Sequence, residues 1–318
     1  MSKLSLITPI YKNAGNIIPF YENFIKEIAP NVDEYEIIMV NDCSPDNSWE
    51  IMKGLAERDP NVKIIKLSRN FGAYEANFIG YGYATGDCIT TKAVDLQEPA
   101  ELTVEMYRAW KAGAKVVLAV REKRNDSIVT NFTSNLYYRI IRKIVQKNMP
   151  KGGFDIYLID RQVADLIINM QERNSPITLQ ILWAGFEPEM VSYVRRKREI
   201  GKSSWSFGKK LKLAIDSLIN FSYVPVRCMT IIGMVFWLFS ILWGIHLVIS
   251  KLQGKIDVSG YTTIVVILLF TSGMIMFTLG LLGEYIWRTL ENTRNRPIAV
   301  VSETMNIEKG GDEISRRK

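Results

Sequence analysis

The sequence predicts an α/β fold with a mainly parallel sheet, followed by two transmembrane α-helices. In the N-terminal two thirds of the chain, short β-rich runs alternate with stretches of helical periodicity, which is typical of repeated βαβ units. Further on, residues 228–250 and 261–283 form two uncharged runs of 23 residues each. Each run as a helix would be about 34 Å long, enough for a hydrocarbon core of about 30 Å. Buried helices of a large soluble protein are the alternative, although two adjacent runs of this length are rare there.

The alternating part is expected to contain five strands and four helices. Sheets of this kind bind ligands beyond the carboxyl ends of their strands, and polar, turn-forming segments follow the first four strands. Neither the GxGxxG dinucleotide motif nor the GxxxxGK[ST] phosphate loop occurs. The expected strands are 4–10, 36–40, 62–67, 88–94 and 116–120, and the expected helices are 16–29, 47–58, 72–85 and 99–112.

The charges beside the uncharged runs predict the domain organisation. Eight basic residues and one acidic residue lie between Arg195 and Lys212, before the first run, and further arginines follow the second. By the positive-inside rule, both flanks face the cytoplasm, which predicts a multi-pass plasma-membrane protein. The expected regions are a cytosolic domain at 1–205, an amphipathic membrane-interface helix at 206–226, two spanning helices within 227–290 (about 228–250 and 261–287) and a cytosolic tail at 291–318.

The composition narrows the choice of partners. A net charge of +7 is compatible with nucleic acid, an anionic membrane or a phosphorylated substrate. Because the basic residues cluster beside an uncharged run, they favour lipid headgroups and no nucleic acid; a solvated charged face is the alternative. Three widely spaced cysteines and a single histidine, which lies inside an uncharged run, argue against a zinc site and against structural disulfides.

Two aspartates at strand ends are the first candidate binding residues. Asp42 follows the second strand, where a carboxylate can accept hydrogen bonds from ribose hydroxyls or a base N–H. An Asx turn or a helix cap is the alternative role, because Ser44, Pro45 and Asp46 come next. Asp95 follows the fourth strand and opens the segment DLQEP at 95–99.

Taken in order, these loops resemble those of the family-2, GT-A-fold glycosyltransferases, and specifically the polyprenyl-phosphate glycosyltransferases. That group includes bactoprenol glucosyltransferases and dolichol-phosphate mannose synthases. The resemblance covers almost the whole chain. It rests on the Pro9-x-Tyr11 turn, the NDCS segment at 41–44, LSRNFG at 67–72, DLQEP at 95–99, the basic loop at 195–205 and GEY at 283–285.

The resemblance implies inverting transfer of a hexose from a nucleotide diphosphate sugar to undecaprenyl or another polyprenyl phosphate. The product would be a lipid-linked sugar donor for cell-envelope glycans. UDP-glucose is the expected donor, with UDP-GlcNAc, UDP-galactose and GDP-mannose as alternatives. Mg²⁺ or Mn²⁺ is the expected cofactor. The acceptor's lipid tail would give the membrane helices their purpose, and a homo-oligomer is compatible with the sequence.

The matching positions carry over the family's site residues. As catalytic residues the resemblance implies Asp95, which is also the metal ligand, together with Asp155 and Arg198. For the nucleotide sugar it implies Pro9, Tyr11, Asp42, Arg69, Gln97, Arg195 and Ser203, and for the acceptor phosphate Arg121, Arg124 and Ser134. Asn70 and Gly72 have a loop-to-helix junction as their alternative role, and the acids around Asp155 have helix capping.

The sequence departs from the family pattern at two positions. Where the metal motif usually reads Asp-x-Asp, Ala93 replaces the first aspartate, and Glu98 is a candidate to assist the metal. Tyr157 replaces the arginine of the family's DFRLMDR segment. One carboxylate with diphosphate oxygens can suffice for a hard divalent cation, because such cations also accept water ligands.

Two other functions are compatible with parts of the sequence. A processive polysaccharide synthase would carry a Gln-x-x-Arg-Trp motif, but Gln180 is followed by Ile181, Leu182 and Trp183. The loss of the first metal aspartate at Ala93 suggests a non-catalytic, membrane-anchored sugar-nucleotide-binding protein. The presence of Asp42, Asp95, Asp155 and the basic loop favours an enzyme.

Overall fold

The computed structural model describes residues 1–122, 128–172, 175–195, 208, 214–217, 219, 221–222, 224–253, 260–294 and 296–307. The chain divides into two units, Met1–Ser217 with Arg296–Lys318, and Leu218–Asn295. Each unit is described by itself.

One sheet runs through the first unit. Its strands among the described residues are β1 (Lys3–Ile10), β2 (Glu34–Asn41), β3 (Val62–Leu67), β4 (Cys88–Thr91), β5 (Val116–Arg121), β6 (Ile156–Asp160), β7 (Pro188–Tyr193) and β8 (Val301–Met305). Their order is β7-β5-β6-β4-β1-β2-β3-β8. The predicted α/β fold fits, but the sheet is mixed: β6 runs antiparallel to β4 and β5, and β8 antiparallel to β3.

The predicted helices are found between the strands. They are α1 (Ala14–Asn23), α2 (Ser48–Arg58), α3 (Ala73–Tyr83) and α4 (Ala100–Lys111), followed by α5 (Ile128–Ile144), α6 (Arg161–Met170) and α7 (Ile177–Trp183). After α1 the chain continues through a π-helical turn (Phe24–Ile28) and a 3-10 turn (Ala29–Asn31). β1 and β2 are buried over most of their length, which explains their nearly continuous apolar sequences.

Helix α3 packs closely on β1 at Gly80. A Cβ atom at this position would overlap Cγ2 of the core residue Ile7. We expect Gly80→Ala to destabilise the first unit by about 1–3 kcal/mol, because overpacking outweighs the better helix propensity of alanine. Urea unfolding of the full chain measures the effect. Gly54→Ala on α2 is the matched control, since a Cβ there meets nothing within 4 Å. Equal unfolding midpoints for the two variants would contradict the close packing.

The C-terminal region contributes an edge strand, which the expectation of a simple tail did not include. β8 pairs with β3, and Lys66 Nζ on β3 donates to Glu303 Oε1 (2.7 Å). Just beyond β8, Asn306 Nδ2 donates to the carbonyl oxygens of Ala56 (2.6 Å) and Val62 (3.0 Å). The chain therefore returns to the first unit after the second one, and it covers the open edge of β3.

The second unit contains two long helices, α8 (Val224–Leu252) and α9 (Tyr261–Thr293). The prediction that they span a membrane is wrong: in the part of the chain that the structure describes, no helix is both long enough and apolar enough to cross a bilayer. Lack of charge alone therefore did not establish a spanning helix. The runs include hydroxyl side chains such as Thr271, whose Oγ1 donates to the Ile267 carbonyl (2.8 Å), and α9 continues to the Glu284–Arg288 ion pair.

Some expectations concern residues outside the described ranges. These include Arg124, Arg198, Ser203 and most of the expected interface helix at 206–226. Within that segment residues 214–217 are helical, and Ser217 Oγ shares a hydrogen bond with Tyr137 Oη on α5 (2.9 Å).

Candidate active site

The loops after four parallel strands meet at one edge of the sheet. β2 and β3 extend the sheet to one side of β1, and β4 lies on its other side. The space between the loops after β1 and β4 is therefore a topological switch point, where open α/β sheets bind ligands. Because β6 is antiparallel to β4, pairing Thr90 with Leu158, its N-terminal end reaches the same edge.

A single carboxylate connects the loops after β1 and β2. Asp46 Oδ2 accepts the N–H of Ala14 (3.1 Å), and its Oδ1 accepts the hydroxyls of Ser44 (2.6 Å) and Ser48 (2.5 Å). Ser44 Oγ in turn accepts the N–H of Lys12 (2.7 Å). Although burial opposes ionisation, these hydrogen bonds lower the pKa of Asp46. Asp46 thereby fixes the turn that contains Tyr11; the sequence pattern had marked it only as a turn residue.

Asp42 ties the end of β2 to the loop before α3. Its two carboxylate oxygens accept the backbone N–H groups of Phe71 (2.7 Å) and Gly72 (2.9 Å). Burial raises the pKa of Asp42, against these hydrogen bonds and the nearby charge of Arg69. The described contacts thus show Asp42 bridging two binding loops, and they are neither those of an Asx turn nor those of a cap for α2. Arg69 lies with its guanidinium over the Phe71 ring, 3.9 Å from the ring centre.

Three non-glycine residues at this edge have left-handed backbone conformations. They are Lys12 (φ 54°), Cys43 (φ 52°) and Leu96 (φ 55°), in the loops after β1, β2 and β4. For a residue with a Cβ this conformation costs about 1–2 kcal/mol, and such strain often accumulates at functional sites. Cys43 belongs to the NDCS segment at 41–44, and glycine would adopt this conformation without strain.

The loop after β4 brings three predicted residues together. Asp95 Oδ1 accepts the N–H of Gln97 (3.3 Å), and Gln97 Oε1 accepts a hydrogen bond from Arg195 Nη2 (2.5 Å). Arg195 follows β7, so this contact joins two loops that are far apart in the sequence. A carboxylate, an amide and a guanidinium therefore lie side by side at the switch point.

Glu98, in the same loop, has an unusual environment. Its Oε2 atom is buried and has no hydrogen-bond partner among the described residues. Lys92 is also buried, and its Nζ donates to the carbonyl oxygens of Glu98 (2.8 Å) and Pro99 (3.3 Å). Burial raises the pKa of Glu98 to about 7; the charge of Asp95 adds to this rise and the charge of Lys92 opposes it.

A second group of predicted residues lies at the adjoining strand ends. Arg121, the last residue of β5, forms an ion pair with Asp155, which directly precedes β6. Its Nε also donates to Tyr193 Oη (3.1 Å) at the end of β7. Tyr193 is buried, and Arg195, two residues further along the chain, donates to Gln97, so the end of β7 connects the two groups. Sequence reasoning missed Tyr193, for which no motif gave a signal.

The remaining predicted residues lie at the end of β1, on α5 and around β6. Pro9 lies at the end of β1 and Tyr11 is exposed just beyond it. Ser134 lies on α5, half-buried. Of the acids around β6, Asp160 has the capping role, accepting the N–H of Gln162 at the start of α6 (3.1 Å). Asp155 has no such contact among those seen, which leaves it available to Arg121.

Tyr157, which stands where the family segment has arginine, points away from this centre into the core. It is buried, and its hydroxyl forms a short hydrogen bond with that of Tyr81 on α3. The substitution replaces a charge with a satisfied pair of buried hydroxyls.

Comparison with known sequences agrees with these features. The family model described as glycosyl transferase family 2 matches residues 5–165, and the GtrB C-terminal hairpin model matches residues 224–288. An uncharacterized glycosyltransferase of Bacillus subtilis (strain 168) is 33% identical over 305 residues, covering 96% of this chain and 94% of that protein. A prophage bactoprenol glucosyl transferase homolog of Escherichia coli (strain K12) is 34% identical over 301 residues, covering 94% and 98%. The bactoprenol glucosyl transferase of Shigella phage SfII is 33% identical over 305 residues, covering 95% and 98%.

A solved structure supports the fold. Glucosyl-3-phosphoglycerate synthase from Mycobacterium tuberculosis, determined with Mn²⁺, UDP and glucosyl-3-phosphoglycerate, matches with a TM-score of 0.51 at 16% identity. The match covers 70% of this chain and 80% of that one. The non-catalytic alternative is disfavoured, since the family model and the relatives both indicate a transferase. The chain belongs to glycosyltransferase family 2 and is a glycosyltransferase, which confirms the resemblance inferred from its loops.

Proposed function

We propose that this enzyme transfers a hexose from a nucleotide diphosphate sugar to a polyprenyl phosphate with inversion at the anomeric carbon. One observation carries the proposal: the Asp95–Gln97–Arg195 group and the Arg121–Asp155 pair lie at the same edge of the sheet, connected through residues 193–195 at the end of β7. Relatives named bactoprenol glucosyl transferases, which match nearly the whole chain, support the lipid acceptor.

The nucleotide is proposed to bind across the loops after β1, β2 and β3. The bonds of Asp46 and Asp42 hold these loops in place before substrate arrives, which reduces the ordering cost of binding. The exposed ring of Tyr11 offers a stacking surface to a base, and Arg69 offers a positive charge near Asp42.

The loop after β4 is proposed to hold the diphosphate. Its carboxylate and amide oxygens are the ligand type that Mg²⁺ and Mn²⁺ prefer, so the residues present fit a divalent cation at Asp95. When bound, that cation would neutralise charge that develops on the departing diphosphate. Arg195 is positioned beside Gln97 to contribute further positive charge.

The acceptor phosphate is proposed to bind at Arg121. A phosphate is already anionic at neutral pH, so its attack on the anomeric carbon requires no strong general base. The guanidinium of Arg121 pairs with Asp155 and is also suited to bind an incoming phosphate. A phosphate bound to Arg121 would therefore lie next to Asp155, which would place Asp155 near the reacting atoms. Positioning and electrostatic stabilisation would then supply most of the rate acceleration.

A location at the cytoplasmic surface of the plasma membrane is part of the proposal, because the acceptor is a lipid. Large apolar side chains are exposed along the second unit, more than a soluble monomer usually presents. Examples are Met234, Leu242, Met276 and Ile286, each more than half exposed. Flotation of the full chain with liposomes tests this; failure to float with vesicles containing anionic lipid would contradict it.

Transfer to lipid is tested with a radiolabelled nucleotide sugar, a polyprenyl phosphate and Mn²⁺. We expect label in the organic phase with UDP-glucose as donor, and less with UDP-GlcNAc, UDP-galactose or GDP-mannose. Label that appears only with another of these donors would change the proposed sugar and leave the reaction class intact. No lipid-soluble label with any donor would contradict the proposed function.

Asp155→Ala is expected to reduce this transfer by at least about a hundredfold, since electrostatic groups at reacting centres commonly contribute that much. Asp165→Ala is the matched control: Asp165 is an exposed aspartate on α6 that pairs with Arg161. Near-normal turnover of Asp155→Ala would remove Asp155 from the active site.

A further inference from the structure

The chain segment that leads into β8 is attached directly to the loop after β3, at the edge where the nucleotide is proposed to bind. The carbonyl oxygen of Val300 accepts the N–H of Ser68 (2.9 Å), which is the first residue after β3. Ala299, the preceding residue, is buried. The start of β8 therefore lies against the start of this loop.

A β-bulge shapes the end of β8 that meets the loop. Lys66 pairs with Glu303, but Leu67, the next residue of β3, pairs with Val301, so Ser302 is an extra residue. Its hydroxyl donates to the carbonyl oxygen of Lys66 (3.0 Å). Bulges bend an edge strand and are frequent next to active sites. The regular pairing of β8 lies on the far side of this bulge, away from the loop.

The loop itself, residues 68–72, is held at both of its ends. Its first N–H donates to the segment before β8, and two N–H groups near its end donate to the carboxylate of Asp42. Arg69 lies between the two attachments, and its guanidinium stacks on the Phe71 ring. Ordering a free segment costs conformational entropy, so a loop that is fixed in advance binds its ligand more tightly.

β8 is only partly anchored in the core. Its three central residues are exposed, and its attachments include the Lys66–Glu303 ion pair and the side chain of Asn306 at the far end. Segments with so little buried apolar surface open at a lower free energy than the core of a domain. A ligand that orders the loop would therefore also favour the attached strand.

We propose that residues 299–306 are a positioning element for the nucleotide diphosphate, and that they act through the backbone of the loop that contains Arg69. This inference rests on the proposed function, since that function places the nucleotide at this loop. Attachment of β8 and binding of the nucleotide are then linked, so each strengthens the other by the same factor. Residues 299–306 need not touch the ligand for this effect.

The test is UDP binding to the purified full chain with Mn²⁺, measured by isothermal titration calorimetry. Ala299→Asp introduces a charge at a buried position, and the start of β8 avoids burying this charge by leaving the loop. We expect the variant to bind UDP at least about tenfold more weakly. Thr304→Asp, which introduces the same charge at an exposed position of β8, is the matched control and should bind like the wild type.

Steady-state transfer separates positioning from a general loss of structure. In Ala299→Asp, the KM for the nucleotide sugar should rise with the Kd of UDP, while kcat at saturating donor changes by less than about threefold. Ala299→Gly, which introduces no charge, should bind UDP to within about threefold of the wild type. Equal UDP affinity in Ala299→Asp and Thr304→Asp would overturn the proposal, and so would a fall in kcat as large as the rise in KM.

A second measurement requires no variant. In the wild type, saturating UDP should slow amide hydrogen exchange in β8 at least about fivefold, because the linkage is reciprocal. Helix α6, which has no part in the proposed nucleotide site, is the internal control and should exchange at an unchanged rate. Unchanged exchange in β8 would overturn the proposal even if Ala299→Asp did not fold.

Failure of this inference and failure of the proposed function give different results. If the wild type glycosylates polyprenyl phosphate while Ala299→Asp binds UDP normally, only the positioning inference fails. If UDP affinity falls as expected while no lipid is glycosylated, the proposed transfer fails and the positioning role stands. A wild type that bound neither UDP nor GDP would overturn both.

Discussion

Asp95→Ala is expected to reduce sugar transfer by at least about a thousandfold while leaving the first unit folded. Asp95 lies at the switch point, beside Gln97 and close to Arg195 and Glu98. Its removal would take away a carboxylate from the expected cation site, and with it charge stabilisation that acts mainly in the transition state. The loss should therefore fall on kcat more than on KM for the nucleotide sugar.

Single-turnover and steady-state transfer to a polyprenyl phosphate measure the effect. Glu105→Ala, a loss of one exposed acid on α4, is the control and should retain activity. Since Asp95 lies half-buried in a loop and not in the apolar core, the melting temperature should change little. Activity within tenfold of the wild type would show that the cation, if bound, is held elsewhere.

Glu36→Gln is expected to destabilise the first unit by about 3–5 kcal/mol, because it breaks a buried ion pair and leaves the partners unpaired. Glu36 is almost fully buried on β2, where it pairs with Lys63 (2.6 Å) and Lys3 (3.0 Å). It also accepts hydrogen bonds from Ser5 Oγ (2.6 Å) and the N–H of Thr85 (2.6 Å). Glu34→Gln, an exposed position on the same strand, is the control.

The same carboxylate predicts a pH dependence. Burial opposes its ionisation, but the hydrogen bonds from Lys63, Ser5 and Thr85 lower the pKa of Glu36 from 4.5 to about 2. The folded state therefore binds the proton less tightly than the unfolded state, so the contribution is complete above pH 4.5 and is lost as pH falls toward 2. The lowered pKa corresponds to roughly 3 kcal/mol.

Urea unfolding of wild type and variant at several pH values checks the sign. The difference in unfolding free energy should be largest near neutral pH and should shrink as pH falls from 4.5 toward 2. A difference that stayed constant, or grew, over that interval would contradict the proposed role of the charge.

The alternation of strands and helices could be predicted from local sequence because each element buries one face against its neighbours. The predicted strands at 62–67 and 116–120 and the predicted helix at 99–112 agree with the structure to within one residue. Parallel pairing also made the grouping of Asp42 and Asp95 at one edge predictable, since polar segments after parallel strands meet there.

The mixed sheet and the edge strand depend on contacts between distant parts of the chain. Nothing local indicates that β6 runs antiparallel, yet that direction places Asp155 next to Arg121 at the edge where β4 ends. β8 has only five residues and few apolar ones, and its pairing with β3 depends on contacts such as Lys66–Glu303. The prediction of membrane-spanning helices was wrong, since lack of charge along a run did not by itself establish a spanning helix.

The sequence by itself determined the α/β alternation, the family and most of the residues at the binding edge, since these depend on periodicity and on motifs that are contiguous in the chain. Only the tertiary structure decided how Arg195 meets Gln97 and how Tyr193 meets Arg121. These contacts depend on the directions of β5, β6 and β7 in the sheet, which are set by packing between segments of the chain and not by the order of residues within them.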